Sequence, residues 1–132
     1  MNVFDDVTTD PSSFAWKDIR GQDRWESTWT PSFTSLTVVG DGSYAGRYRI
    51  VGRQCFFQVE FSAATSIAST AGTTYFALPF TAKGYAGAAT MTNATTHLPV
   101  GDCEVSVSTS RCYIPSQSAS GNTFNVCGWF EL

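Results

Sequence analysis

Charge is scarce in this chain: Lys, Arg, Asp and Glu together supply only 14% of its 132 residues, and the formal net charge is −3 at pH 7. A phosphate backbone is gripped by a dense basic surface, so nucleic acid is excluded from the expected partners. Histidine is nearly absent. His97 is the single one, which removes any histidine metal cluster, and the four cysteines, Cys55, Cys103, Cys112 and Cys127, include no CxxC pair. Neither a zinc site nor a thioredoxin-like redox motif has the spacing it needs, so no metal and no cofactor is expected. No apolar run approaches the roughly 20 residues with which a helix crosses a bilayer. The opening MNVFDDVTTD carries neither a basic segment nor the hydrophobic centre of a secretion signal. Neither membrane insertion nor export is therefore expected, and buried free thiols are the expected cysteine state. A Cys103–Cys112 bridge between neighbouring strands is the alternative.

What the chain does have is sheet. It is 42% hydrophobic and 14% aromatic, with 10 Phe, which is enough for one independently folded domain of this length. Side chains alternate faces along a strand, so Cys55, Phe57, Val59 and Phe61 share one face and Phe56, Gln58, Glu60 and Ser62 the other. The final segment, TFNVCGWFEL, separates Phe124, Val126 and Phe130 from Cys127, Trp129 and Glu131 in the same way. Strands are expected at 33–39, 44–51, 55–64, 74–78, 84–92, 103–107, 111–114 and 123–130. Glycine and polar clusters divide them: GDGS at 40–43 is expected to close a hairpin onto Tyr44, Gly52 and Arg53 another onto Cys55. SIASTAGT at 66–73 and SQSASGN at 116–122 read as loops, and Pro31, Pro79, Pro99 and Pro115 read as strand ends. Residues 1–25 read as a short N-terminal connector, in which the DPSS turn signal is expected to precede one helical turn carrying Phe14, Trp16 and Ile19. The expected fold is all-β: an antiparallel two-sheet sandwich, jelly-roll-like, of about eight strands.

Catalytic constellations are thin. Glycoside cleavage generally uses two carboxyl groups, one in an apolar setting that raises its pKa. Asp5 and Asp6 are adjacent in the connector, Asp18, Asp23 and Glu26 are scattered, and Glu60, Asp102, Glu104 and Glu131 lie on or beside strands. GDGSYAG is followed by a strand and no GK[ST], so it is a turn and not a phosphate cradle. Arg47 and Arg49 flank Tyr48 and share a face, where guanidinium forks suit a subunit contact or an acidic sugar. Trp25, Trp29, Tyr85 and Trp129 have rings suited to an interface or to stacking on sugars.

Three motifs together resemble a known family. WTPSFTSLTV from Trp29, GSYAGRYRIVGR from Gly42 and TTYFALPF from Thr73 resemble the C-terminal β-sandwich modules of tailed-bacteriophage tailspikes and tail fibres, over most of the chain. The resemblance implies a homotrimer at the tip of a virion fibre, made in the host cytoplasm, that contacts host surface polysaccharide such as lipopolysaccharide or capsule. Within 1–25, NVFDDVTT is similar to the closing rung of a right-handed parallel β-helix, and 26–132 is then the trimerisation and glycan-binding domain. Loop chemistry between Lys83 and His97 makes Tyr85, Asn93 and His97 the glycan-binding candidates, with Arg47 and Arg49 assisting. Phe56, Trp29 and Trp129 are the trimer-interface candidates. The competing readings are a self-contained polysaccharide depolymerase and a carbohydrate-binding module of a secreted bacterial enzyme.

Overall fold

Alternating apolar residues produce the longest strands. In the computed structural model, which describes residues 27–83 and 86–132, β4 (Gly42–Val51), β5 (Gln54–Ala63) and β12 (Thr123–Glu131) run antiparallel with β5 in the middle. The chain turns from β4 to β5 at Gly52, whose φ of 61° a residue without a Cβ adopts at little cost. Phe124 lies opposite Phe61, Val126 opposite Val59 and Phe130 opposite Cys55, so the inward residues of the two strands form matched rows. The expected register holds: Cys55, Phe57, Val59 and Phe61 are all at most 1% exposed.

The remaining strands are β1 (Ser27–Trp29), β2 (Phe33–Thr34), β3 (Thr37–Val39), β6 (Ser66–Ser69), β7 (Tyr75–Ala77), β8 (Gly87–Asn93), β9 (Leu98–Ser106), β10 (Arg111–Tyr113) and β11 (Gln117–Ala119). Among the described residues the twelve strands form an antiparallel nine-stranded sheet, ordered β1-β4-β5-β12-β8-β9-β10-β7-β2, and a three-stranded sheet, β11-β6-β3. The large sheet curls over its own inner face. Phe33 of β2, at one edge, has its ring 4.8 Å from Phe61 and 5.6 Å from Tyr44, near the other edge, and Phe57 lies 6.0 Å from Phe76 of β7. The core fills the inside of that curl. Phe57, Phe61, Phe76, Phe124 and Phe130 are its largest members, and each contributes roughly 1.5–3 kcal/mol by leaving water.

Several segments depart from the sequence reading, each for a local reason. The expected strand 33–39 is broken at Ser35, which has a φ of 61°, so β2 pairs with β7 while β3 leaves for β6. GDGS accordingly closes no hairpin. Asp41 and Val39 instead accept hydrogen bonds at 3.0 Å from the N–H groups of Ala64 and Thr65, tying the turn to the end of β5. The expected loops 66–73 and 116–122 contain β6 and β11, weak β-formers that pair with each other and bury Ile67. Ser69 Oγ donates to the Pro115 carbonyl at 2.6 Å, which satisfies the hydroxyl in its buried position. β9 starts at Leu98 and so contains Pro99, which stands opposite Thr92 beside a register shift between Met91 and Thr92; a residue without an N–H fits such an irregularity. The connector at 1–25, its helical turn and the β-helix rung lie outside the described residues.

A buried threonine joins the two sheets. Thr74, 0% exposed, accepts the N–H of Thr70 at 2.9 Å and donates to the Ser35 carbonyl at 2.8 Å, while its own carbonyl accepts the N–H of Ile114 at 3.0 Å. One hydroxyl thus fixes the break between β2 and β3 against the entry to β7.

Candidate functional site

The outer surface of the curled sheet carries the polar and aromatic side chains that the core excludes. Along β4, Arg47 and Arg49 face outward, and Tyr48 between them turns in toward Phe80, with ring centroids 4.9 Å apart. The cross-strand register builds a row of Thr28, Arg47, Gln58, Cys127, Thr90 and Asp102. In it Arg47 Nε donates to Gln58 Oε1 at 2.8 Å, and the second guanidinium arm reaches the same oxygen. Beside this pair is a shallow hollow lined by Thr28, Ala45, Gly46, Arg47, Gln58 and Glu60.

The neighbouring row is Arg49, Phe56, Trp129 and Ala88. Phe56 and Trp129 stand side by side, both half-buried, and neither belongs to the core cluster. Trp29 behaves differently. It faces Gly46 on the inner side, packed against the core and 6.1 Å from Tyr48, and a Cβ at Gly46 would come within 2.7 Å of its ring. Of the interface candidates, then, Phe56 and Trp129 are together on the outer face and Trp29 is a core neighbour.

The other candidates are spread out. Asn93 Oδ1 accepts the N–H groups of Thr95 and Thr96 at 3.0 and 3.1 Å, and the Asn93 carbonyl accepts His97 N–H at 2.8 Å. This side chain holds a turn. His97, exposed and with a φ of 63°, sits at the end of that turn. β8 is separated from β4 by β12 and β5, three strand spacings or about 14 Å. One chain therefore does not bring Asn93 and His97 beside Arg47 and Arg49. Tyr85 lies outside the described residues.

The sequence reading passed over a third group. On the outer side of β7 and β10, Tyr75 and Tyr113 are direct cross-strand partners with ring centroids 5.1 Å apart. The Arg111 guanidinium lies 4.2 Å from the centre of the Tyr75 ring and donates to Tyr113 Oη at 3.3 Å. That hydrogen bond holds the guanidinium pKa above its ordinary value, although desolvation opposes it, so the cation persists at any working pH. Glu104, exposed, stands opposite Tyr113, and Ser106 opposite Arg111. The alternation of Tyr75 with Phe76, and of Arg111 and Tyr113 with Cys112, was visible in the sequence. The pairing of β7 with β10, which assembles the group from distant segments, was not.

All four thiols are free. Cys55, Cys103 and Cys112 are buried, whereas Cys127 is exposed, which corrects the expectation of burial for that one residue. The hydrogen bond with Cys103, followed by burial, pushes the Cys112 thiol far above its ordinary range. Partial burial raises Cys127 too, against the opposing pull of Arg47. Asp102 and Glu104 are both exposed on β9, a setting unlike the apolar pocket of a general acid.

Compared with known proteins, the chain matches no family model, no curated protein and no solved structure.

Proposed function

We propose that this chain is a homotrimeric module at the distal end of a bacteriophage tailspike or tail fibre, carried on the virion, that contacts host surface polysaccharide. The three motifs from Trp29, Gly42 and Thr73 motivate the family. The fold is read as a jelly-roll-like two-layer sandwich, an interpretation supported by the curl that lays β2 and β7 over β4 and β5. The observation that carries the assembly is the adjacency of Phe56 and Trp129 on the outer face. Two large rings outside the core are what a subunit contact covers, and aromatic residues and arginine are enriched at such contacts. Arg49, next in the row, adds a polar anchor to the same patch. The polysaccharide contact is assigned to the wet outer surface, where arginine and tyrosine offer planar donors and ring faces. Light scattering coupled to size-exclusion chromatography tests the assembly and an oligosaccharide array tests the binding. A monomer at micromolar concentration rejects the first, and an array without signal rejects the second.

A further inference from the structure

We infer that Tyr75, Arg111 and Tyr113, together with Glu104, form a platform for a saccharide unit, one that takes both hydrogen-bond donors and acceptors from a single sugar ring. This rests on the polysaccharide-binding reading above and assigns it to a site on β7, β9 and β10. Tyr75 and Tyr113 lie beside one another across the strand pair, tilted by 51°, and neither belongs to the core cluster. Their half-buried rings are therefore offered outward from a rigid support. Cys112 and Phe76, the inward residues of the same two strands, are 0% exposed and anchor that support. Arg111 is oriented from two sides, by the Tyr75 face and by the Tyr113 hydroxyl. The guanidinium makes one side-chain hydrogen bond among the described residues, which leaves N–H groups for a ligand.

The charge pattern selects the ligand class. Across Tyr113 from β10 stands the exposed Glu104 carboxylate, and beside Arg111 is Ser106, whose hydroxyl already accepts that of Thr109 at 2.8 Å. The rings are thus flanked by a cation that only donates and an anion that only accepts. A compact anion meets repulsion from Glu104 in a chain of net charge −3. An apolar surface would strip water from both charges without replacing their hydrogen bonds. A pyranose satisfies every part: an apolar C–H face for a tyrosine ring, and hydroxyls that accept from Arg111 and donate to Glu104. The rings supply contact area at low cost in side-chain entropy because few torsions need fixing.

The test uses the whole chain on a printed array of bacterial surface oligosaccharides, neutral and uronate-containing, with folding followed by circular dichroism and assembly by light scattering. Tyr113→Thr and Arg111→Gln are expected to reduce the strongest signals at least tenfold with spectrum and mass unchanged. Should either variant fail to fold, Glu104→Ala, a change at an exposed position, carries the test with an expected loss of at least fivefold. Wild-type signal that these folded variants retain in full overturns the platform and leaves polysaccharide binding standing. A wild-type chain that binds nothing on the array overturns both.

Discussion

The two halves of the outer sheet surface rest on one core yet turn out different chemistry. On β4, β5 and β12 the outward row is Arg49, Phe56 and Trp129; on β7, β9 and β10 it is Tyr75, Tyr113 and Glu104, with Arg111 alongside. A phenylalanine beside a tryptophan has little to offer water, and covering such a pair is favourable. Two tyrosines with a guanidinium stacked against one and bonded to the other are already partly satisfied where they stand. Alternation decides which residues face out, while the polar handles on those residues separate an apolar surface that gains by being covered from one already partly satisfied in water.

That contrast can be strained at graded points. The largest effect is expected at the shared core: Phe57→Ala should lower the unfolding free energy by about 3–5 kcal/mol, because a cavity replaces a fully buried ring. The adjacent outward change, Phe56→Ala, should cost less than about 1 kcal/mol at concentrations where the chain is monomeric. Denaturant titration of both variants decides it, and equal losses would mean that the two faces of β5 are not distinct. Next comes Gly128, on the inner side of β12, where a Cβ would lie 2.4 Å from the Ala88 carbonyl oxygen and 2.5 Å from the Ala89 Cβ. Backbone cannot retreat as a flexible side chain can, so Gly128→Ala should cost about 1–3 kcal/mol, read as a lower denaturation midpoint.

Thr74→Val keeps shape and removes the hydroxyl that serves Thr70 and Ser35. Leaving those groups unpaired should cost about 1–3 kcal/mol and should loosen the β2–β3 break, seen as faster amide exchange at Thr70. The smallest effect concerns pH. Cys112 has a folded-state pKa raised above its unfolded value, so its contribution is complete below the ordinary thiol pKa. It is lost as pH rises past that value, because the unfolded chain then releases a proton that the folded chain keeps. The slope should approach about 1.4 kcal/mol per pH unit above roughly pH 8.5. Comparing wild type with Cys112→Ala between pH 7 and 9.5 isolates it: the variant should start less stable and lose less.

Much of the inner face was legible because it follows a period of two without interruption. Cys55 to Phe61 and Phe124 to Phe130 announce their buried rows, and Gly52 announces the turn that joins β4 to β5. The small sheet was not legible, since Ser66–Ser69 and Gln117–Ala119 have a composition that reads as loop and become strands only by finding each other. Ser35 looked like the middle of a strand, but its left-handed backbone sends the chain into a second sheet. For the candidate sites, the shared face of Arg47 and Arg49 could be read directly. Asn93 could be read only as polar, when its amide is in fact committed to the turn ending at His97. The tyrosine pair depends on a register between segments far apart in sequence, which no local pattern encodes.

The proposed assembly sets Phe56 and Trp129 against a neighbouring copy and leaves the tyrosine face uncovered. Light scattering on the wild type, on Phe56→Ser/Trp129→Ser and on Tyr113→Thr, all at the same micromolar concentration, tests it most directly. Three times the monomer mass is expected for the wild type and for Tyr113→Thr, and the monomer mass for the double variant with its β spectrum retained. A monomeric wild type, or a double variant that remains trimeric, would contradict it.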